Sequence, residues 1–502
     1  MRMWINPLVV MAGALLAAGP LEGQGYRLRL DTRFQSVTYR GWTLDSAPVG
    51  ATSPGPTGGP VAGGFAVQCV AGAAYCTFFR PGPERTATPT VGTVDLTVWG
   101  LGIPGLRLHA KGRALGDFTD RNVWPGVKPA VQLLEGYAEY ASTPLTVELG
   151  RTHVATRFGF RGFDGGRVEI RPFGRALRLS GYGGWGLARG VDLPVTIGEL
   201  NPLGDYQPTD RQTVLGGGLA LTLWRFALRG GYQREDDPTT NGTTFERAAL
   251  DGQVDLAQGV VVSGGADYDM AAGLWGSADA ALSYAPTGGR GRLSVGGRSY
   301  RPYFDLWSIW AAFNPVGYRA AYASATYTLT SGVELRGRGE VYEYDESGAT
   351  TPLVAEESDG WRWVIRARLL RVDDWVFDAA AHQEHGPGVA SLGYEGTATW
   401  APADPVTLTA QVARVRRPLE YRFDDSKVWT YGLRADYLTA SDLRFYAEVR
   451  RYDETRERDD AAELSWDQLR IYLGATVVIG SGADARPLHP SILRIPDVRR
   501  PQ

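Results

Sequence analysis

Residues 106–114, LRLHAKGRA, alternate without a break: Leu106, Leu108, Ala110, Gly112 and Ala114 against Arg107, His109, Lys111 and Arg113. A period of two marks a β-strand, whose successive side chains leave the pleat on opposite faces. One face is therefore apolar and the other strongly basic. The same two-faced run returns as VELRGRGEVYEY (333–344), WRWVIRARL (361–369), LRFYAEVR (443–450) and QLRIYLGATVVI (468–479). About 22 such segments fit between Tyr26 and Gly480, roughly one every 21 residues.

The length of the runs decides between water and lipid. Strands in soluble sheets are mostly about 5–6 residues long. These run for about 9–13, close to the 9–11 that a tilted membrane-crossing strand needs. In WTYGLRADY (429–437), Trp429 and Tyr437 share the apolar face with Tyr431, Leu433 and Ala435. At ~3.3 Å per residue and a ~40° tilt, those two end aromatics stand ~20 Å apart along the membrane normal, near the height of an outer-membrane apolar band. A sheet crosses a bilayer only as a closed barrel, because every backbone group must pair internally.

The connections alternate in length. Short ones include GIPG (102–105), STP (142–144), SG (331–332) and ADP (403–405); long ones cover 45–90, 117–130, 188–210, 301–317, 346–358 and 453–465. Short turns on one side and long loops on the other is the layout of a transmembrane barrel. The expected fold is all-β: a closed antiparallel transmembrane β-barrel of about 22 strands over 26–480, without an N-terminal plug domain. Leu106, Leu108, Trp363, Ile365, Leu469, Ile471 and Leu473 should face lipid. Arg107, Lys111, Arg366, Arg368 and Arg470 should face the lumen, and a slip of one residue inverts both sets.

Bulk composition hides this. Hydrophobic residues make up 43% of 502 and the formal charge is −3, which reads as a soluble chain with no case for nucleic acid. A barrel averages its two faces, so the mean says little. At the N-terminus, Arg2 and the apolar PLVVMAGALLAAG (7–19) form a signal peptide, assigned to 1–25. The segment is too short to span, and no later apolar run reaches the roughly 18 residues of a membrane helix. The end, SGADARPLHPSILRIPDVRRPQ (481–502), reads as a Pro-rich periplasmic tail.

On strand pattern and turn layout, 26–480 resembles the outer-membrane β-barrels, porins in particular. The resemblance implies an outer-membrane location, lipid as the surrounding partner and insertion by the outer-membrane assembly machinery. Many such barrels finish on an aromatic residue, whereas here Ile479 is followed by a tail. It implies a channel for passive passage of polar solutes, with the lumen partly closed by the chain's own loops. The alternative resembles porin–cytochrome conduits, in which a barrel sheathes a separate multihaem cytochrome. An outer-membrane enzyme or adhesin is a third reading.

Nothing in the sequence points to catalysis. H-E-x-x-H, C-x-x-C-H and G-x-S-x-G are all missing, so no catalytic residue, cofactor or metal ligand is assigned. His382 and His385 would project from opposite faces of a strand. Cys69 and Cys76, seven apart in an exported chain, are expected to form a disulfide. GYGGWG (181–186) and GGG (216–218) lie in strands, where glycine relieves crowding or packs against aromatics. The functional signal is the lumen face: Arg107, His109, Lys111, Arg113, Glu135, Glu139, Arg336, Arg338, Glu340, Arg362, Arg366, Arg368, Arg444, Glu448, Arg450 and Arg470. Three readings fit these charges: interleaved acids that neutralise them across neighbouring strands, a mild anion preference set by the arginine excess, or binding of a specific guest. A 22-strand bore of ~16 Å radius needs filling. Loop 45–90 and the aromatic loop 301–317 are the expected lids.

Overall fold

The computed structural model describes residues 25–55, 59–119, 131–187, 211–238, 242–301, 317–330, 332–345, 358–372, 374–387, 389–417, 426–439, 443–456 and 465–481. One antiparallel sheet of 24 hydrogen-bonded segments dominates. Two of its segments, Tyr75–Ala87 and Pro89–Trp99, are a single strand interrupted at Thr88, and Gln68–Cys69 is a two-residue flank, so the wall has 22 strands. It closes on itself. The first strand, Gly25–Pro48, pairs with the last, Trp466–Ser481, from Tyr26↔Ser481 to Val37↔Arg470. The short and polar GRVEIR (166–171), the weakest strand pattern in the sequence, lies in Gly159–Ile170 with Arg171 just beyond it.

Residues directly opposite each other in an antiparallel pair project from the same face, so the registers carry one face assignment around the ring. Glu340 stands opposite Arg362, Arg362 opposite Glu384, Arg434 opposite Glu448 and Arg450 opposite Arg470. The assignment passes through the seam and returns in phase. The other face holds Ile365 and Leu433, 56% and 66% exposed, and it is dressed with stacked aromatics. Trp375 stacks on Trp400 at 5.3 Å near one end, and Trp429 on Tyr431 at 5.9 Å near the other. Ion pairs on this apolar face, such as Arg234–Asp236 at 2.9 Å and Arg451–Asp453 at 2.7 Å, occur at strand ends on the loop side. An arginine facing lipid at mid-height costs roughly 2–4 kcal/mol, so the apolar face meets lipid and the ionic face lines the bore.

Segment 45–90 was expected to fold into the mouth. The upper half of the first strand pairs instead with Tyr75–Ala87 as far as Pro48↔Tyr75, while its pairing to the last strand stops at Val37. The result is a two-stranded ribbon continuing beyond the wall, tipped by a small sheet of Ser53–Pro54, Pro60–Ala62 and Phe65–Ala66. A ribbon of two strands is marginal in water by itself. Cys69 and Cys76 are joined at its tip, with Cys76 fully buried beside Ala62 and Val67.

Candidate conduction path: the lumen wall and a hairpin folded into it

The bore-facing ions are paired along and across strands. Beside the first strands, Lys111 and His109 meet Glu135 at 3.3 and 3.2 Å, Arg113 donates to Gln132 at 3.0 Å, and Arg107 lies 3.9 Å from Glu139. Farther round, Glu340 is 1% exposed at its side chain and accepts from Arg298 and Arg362 at 2.6 Å and Arg338 at 3.0 Å. Arg336 pairs with Glu334 at 2.7 Å; Arg366 and Arg368 share Asp378 at 3.4 and 3.0 Å. Near the seam, Asp436 joins Arg434 and Arg444 at 2.7 and 2.6 Å, and Glu448 joins Arg434 and Arg450. Arg470 donates to Gln468 and lies over the Tyr452 ring, 4.9 Å from its centre. His382 faces the bore opposite Gly393, and His385 faces out beside Trp361. Among the described residues no three His, Cys, Asp or Glu side chains are grouped to hold a metal.

The wall is not charged evenly. Strands Phe226–Asp237, Gly242–Ala257, Val260–Asp269 and Leu274–Tyr284 turn Glu235, Asp251, Asp267, Asp269 and Asp279 inward. Arg247 of the same sector holds Asp267 and Asp269 at 3.2 and 3.1 Å, and two arginines from elsewhere reach the other acids. Arg157 and Phe158 form the two-residue turn between strands Leu145–Thr156 and Gly159–Ile170. Three wall strands separate that hairpin from the strand of Asp251. Arg157 nevertheless reaches Asp251 at 2.5 Å, Asp279 at 2.6 Å, Ser277 at 3.0 Å and Asp267 at 3.5 Å. Behind it Arg161 meets Glu235 at 2.5 Å, and Phe158 packs edge-on against Phe245 at 5.9 Å. The top of this hairpin has left the wall and lies across the bore.

The pairing shows where it leaves. Leu145–Thr156 stays bonded to Gly159–Ile170 over its whole length, but to Val131–Ala141 only as far as Arg151↔Gly136. Gly150, just before the departure, has φ +133°, a conformation that side chains rarely adopt. On the other flank the backbones of Gly165 and Gly184 approach so closely that a Cβ on either would strike the other. The bent hairpin buries Phe163 (0% exposed) with Val154, Tyr182 and Val214, and it covers Gln233 and Glu235, each 2% exposed. Full burial of a Phe contributes roughly 1.5–3 kcal/mol. In a bare bore of this width these side chains would be wet.

The glycine runs read as crowding relief thus have a definite neighbour. Gly216 lies under the Tyr182 ring, whose hydroxyl donates to Gln233 at 3.0 Å, and Gly231 faces Phe158. Together they make the smooth floor on which the hairpin rests. Sequence reasoning missed the hairpin because its turn is only two residues long and so does not stand out as a loop that could enter the bore. The usable signal was Arg157 and Arg161 interleaved with Phe158, Phe160 and Phe163 between glycines. The other expected lid, 301–317, lies outside the described residues except at its two ends.

No family model and no curated protein matches the sequence. Solved structures with a similar course include a BenF-like porin from Pseudomonas fluorescens Pf-5 (10% identity, covering 92% of this chain and all of that one, TM-score 0.42). Others are OpdK of Pseudomonas aeruginosa with vanillate (11%, 92% and 100%, 0.39) and a mutant ferric enterobactin receptor, PfeA, of the same species (12%, 91% and 80%, 0.48). What fixes the fold is the closed ladder of 22 strands, apolar outside and ionic within. The chain is an outer-membrane β-barrel.

Proposed function

We propose that the protein is a passive outer-membrane channel for small polar solutes, its bore narrowed from inside by the hairpin around Arg157. Twenty-two strands spaced ~4.8 Å and tilted ~40° enclose a Cα radius of ~22 Å and a free radius of ~16 Å. One extra layer packed on the wall takes ~10 Å from one side, which leaves a crescent. The observation that carries the reading is the reach of Arg157 to three carboxylates of the far strands. A sheath for another protein calls for an open bore, and the hairpin already occupies part of it.

The wall left uncovered is the arginine-rich one, from Arg298 round to Arg470, so the channel should favour anions mildly. Purified protein in a planar bilayer should give discrete, uniform conductance steps with a reversal potential displaced toward the anion side in a salt gradient. A folded protein that stays silent would contradict the proposal, as would unstepped leakage.

A further inference from the structure

Next to the hairpin tip the bore wall is hollowed into a cavity of about 550 Å³, within the ~300–1,000 Å³ typical of small-molecule sites. Arg157 and Asp279 close it on the hairpin side; Arg298, Arg338, Tyr300, Tyr318 and Tyr322 line the rest. The polar groups here are unusually one-sided. Asp279 is taken by Arg157 at 2.6 Å. Arg298 gives one terminal nitrogen to Glu340 at 2.6 Å, lies 5.4 Å from the centre of the Tyr318 ring, and keeps its Nε buried without a hydrogen-bond partner. Arg338 donates to the same carboxylate at 3.0 Å, lies 4.4 Å from the centre of the Tyr322 ring, and is half-exposed. Glu340 also serves Arg362, which has Glu384 at 3.8 Å. On this side of the cavity three guanidiniums therefore face two carboxylates, an excess of one positive charge, while on the hairpin side Arg157 is engaged by Asp251, Asp267 and Asp279.

We propose that this cavity is a binding subsite for a small organic acid. Its carboxylate takes the spare N–H groups of Arg298 and Arg338, and its carbon skeleton lies against the tyrosines. A guanidinium fork matches a planar carboxylate with two parallel hydrogen bonds. A cationic solute would find the nearest acids already engaged. The role as a halt along the path rests on the channel reading, but binding itself does not require conduction.

The test is calorimetric titration of the detergent-purified, folded barrel with succinate and, separately, with its uncharged diamide, succinamide. Succinate should bind saturably and succinamide should not. Arg338→Ala should weaken succinate binding about tenfold, the loss expected for a hydrogen-bonded charge. Arg338→Lys should restore part of it, and Arg451→Ala, on the outer face, should change nothing. The fold of each variant is checked by its heat-modifiable mobility on gels. Tyr322→Phe, which keeps the ring, should bind within about twofold of the parent. Equal binding of the two compounds, no binding to folded protein, or parental affinity in Arg338→Ala would overturn the subsite. Conduction without succinate binding removes the subsite and leaves the channel. Binding by a protein that never conducts does the reverse.

Discussion

Replacing both hairpin arginines, Arg157→Ala with Arg161→Ala, is expected to shift the anion-to-cation permeability ratio about three- to tenfold toward cations. The two guanidiniums are the hairpin's share of the cover over the acidic sector: Arg157 on Asp251 and Asp279 and, with Arg247 of the wall, on Asp267, and Arg161 on Glu235. Without them the hairpin loses its hold, and inward carboxylates that now sit beneath it face the permeating ions. A change in local potential of about 0.5 to 1.2 RT per unit charge acts on anion and cation in opposite directions and so multiplies the ratio by about 3 to 10, and clefts lined by one sign of charge reach such potentials. The reversal potential in a salt gradient reads this directly. Arg157→Lys, which keeps the charge but lacks the fork that spans several carboxylates, should fall between. An unchanged reversal potential in the double variant would contradict a hairpin lying in the path.

The largest loss of stability should come from Glu340→Ala. This side chain is 1% exposed and holds three arginines at once. Removing one partner of a fully buried charge pair typically costs about 3–5 kcal/mol; here the arginines left behind are partly exposed and Arg362 keeps Glu384 at 3.8 Å, so the loss should lie at the lower end, about 3 kcal/mol. The arginines would also repel one another. Glu340→Gln keeps an acceptor and should cost less, about 1–3 kcal/mol. Glu334→Gln, whose partner Arg336 is half-exposed, should stay within about 1 kcal/mol of the parent. Urea unfolding from lipid-mimicking detergent, followed by heat-modifiable mobility, ranks the three. Equal midpoints for Glu340→Ala and Glu334→Gln would mean that the wall network carries no special weight.

The wall was legible in the sequence because a strand's period is also its face. WRWVIRARL states which side of 361–369 is apolar before any partner is known, and its registers with 333–344 and 375–386 keep those sides together. Alternation does not say which strand ends leave the wall. Arg157 finds its partners 94 to 122 residues away, and no local pattern encodes a contact across a bore. The ribbon was hidden for another reason. Prolines 81 and 83 and glycines 41 and 82 interrupt the period between 39 and 87, so a paired extension reads like a loop. The lumen residues were identifiable by type and phase. Their grouping around Glu340, Asp378, Asp436 and Glu448 came only from the register.

Spin labels placed one at a time along 429–437 test the central claim most directly, since a membrane barrel with an ionic bore requires opposite surroundings for neighbouring residues. Collision with dissolved oxygen should peak at 429, 431, 433, 435 and 437, where the apolar face meets lipid. Collision with a water-soluble nickel chelate should peak at 430, 432, 434 and 436, in the bore. Alternation in the opposite phase, or none, would contradict the barrel described here.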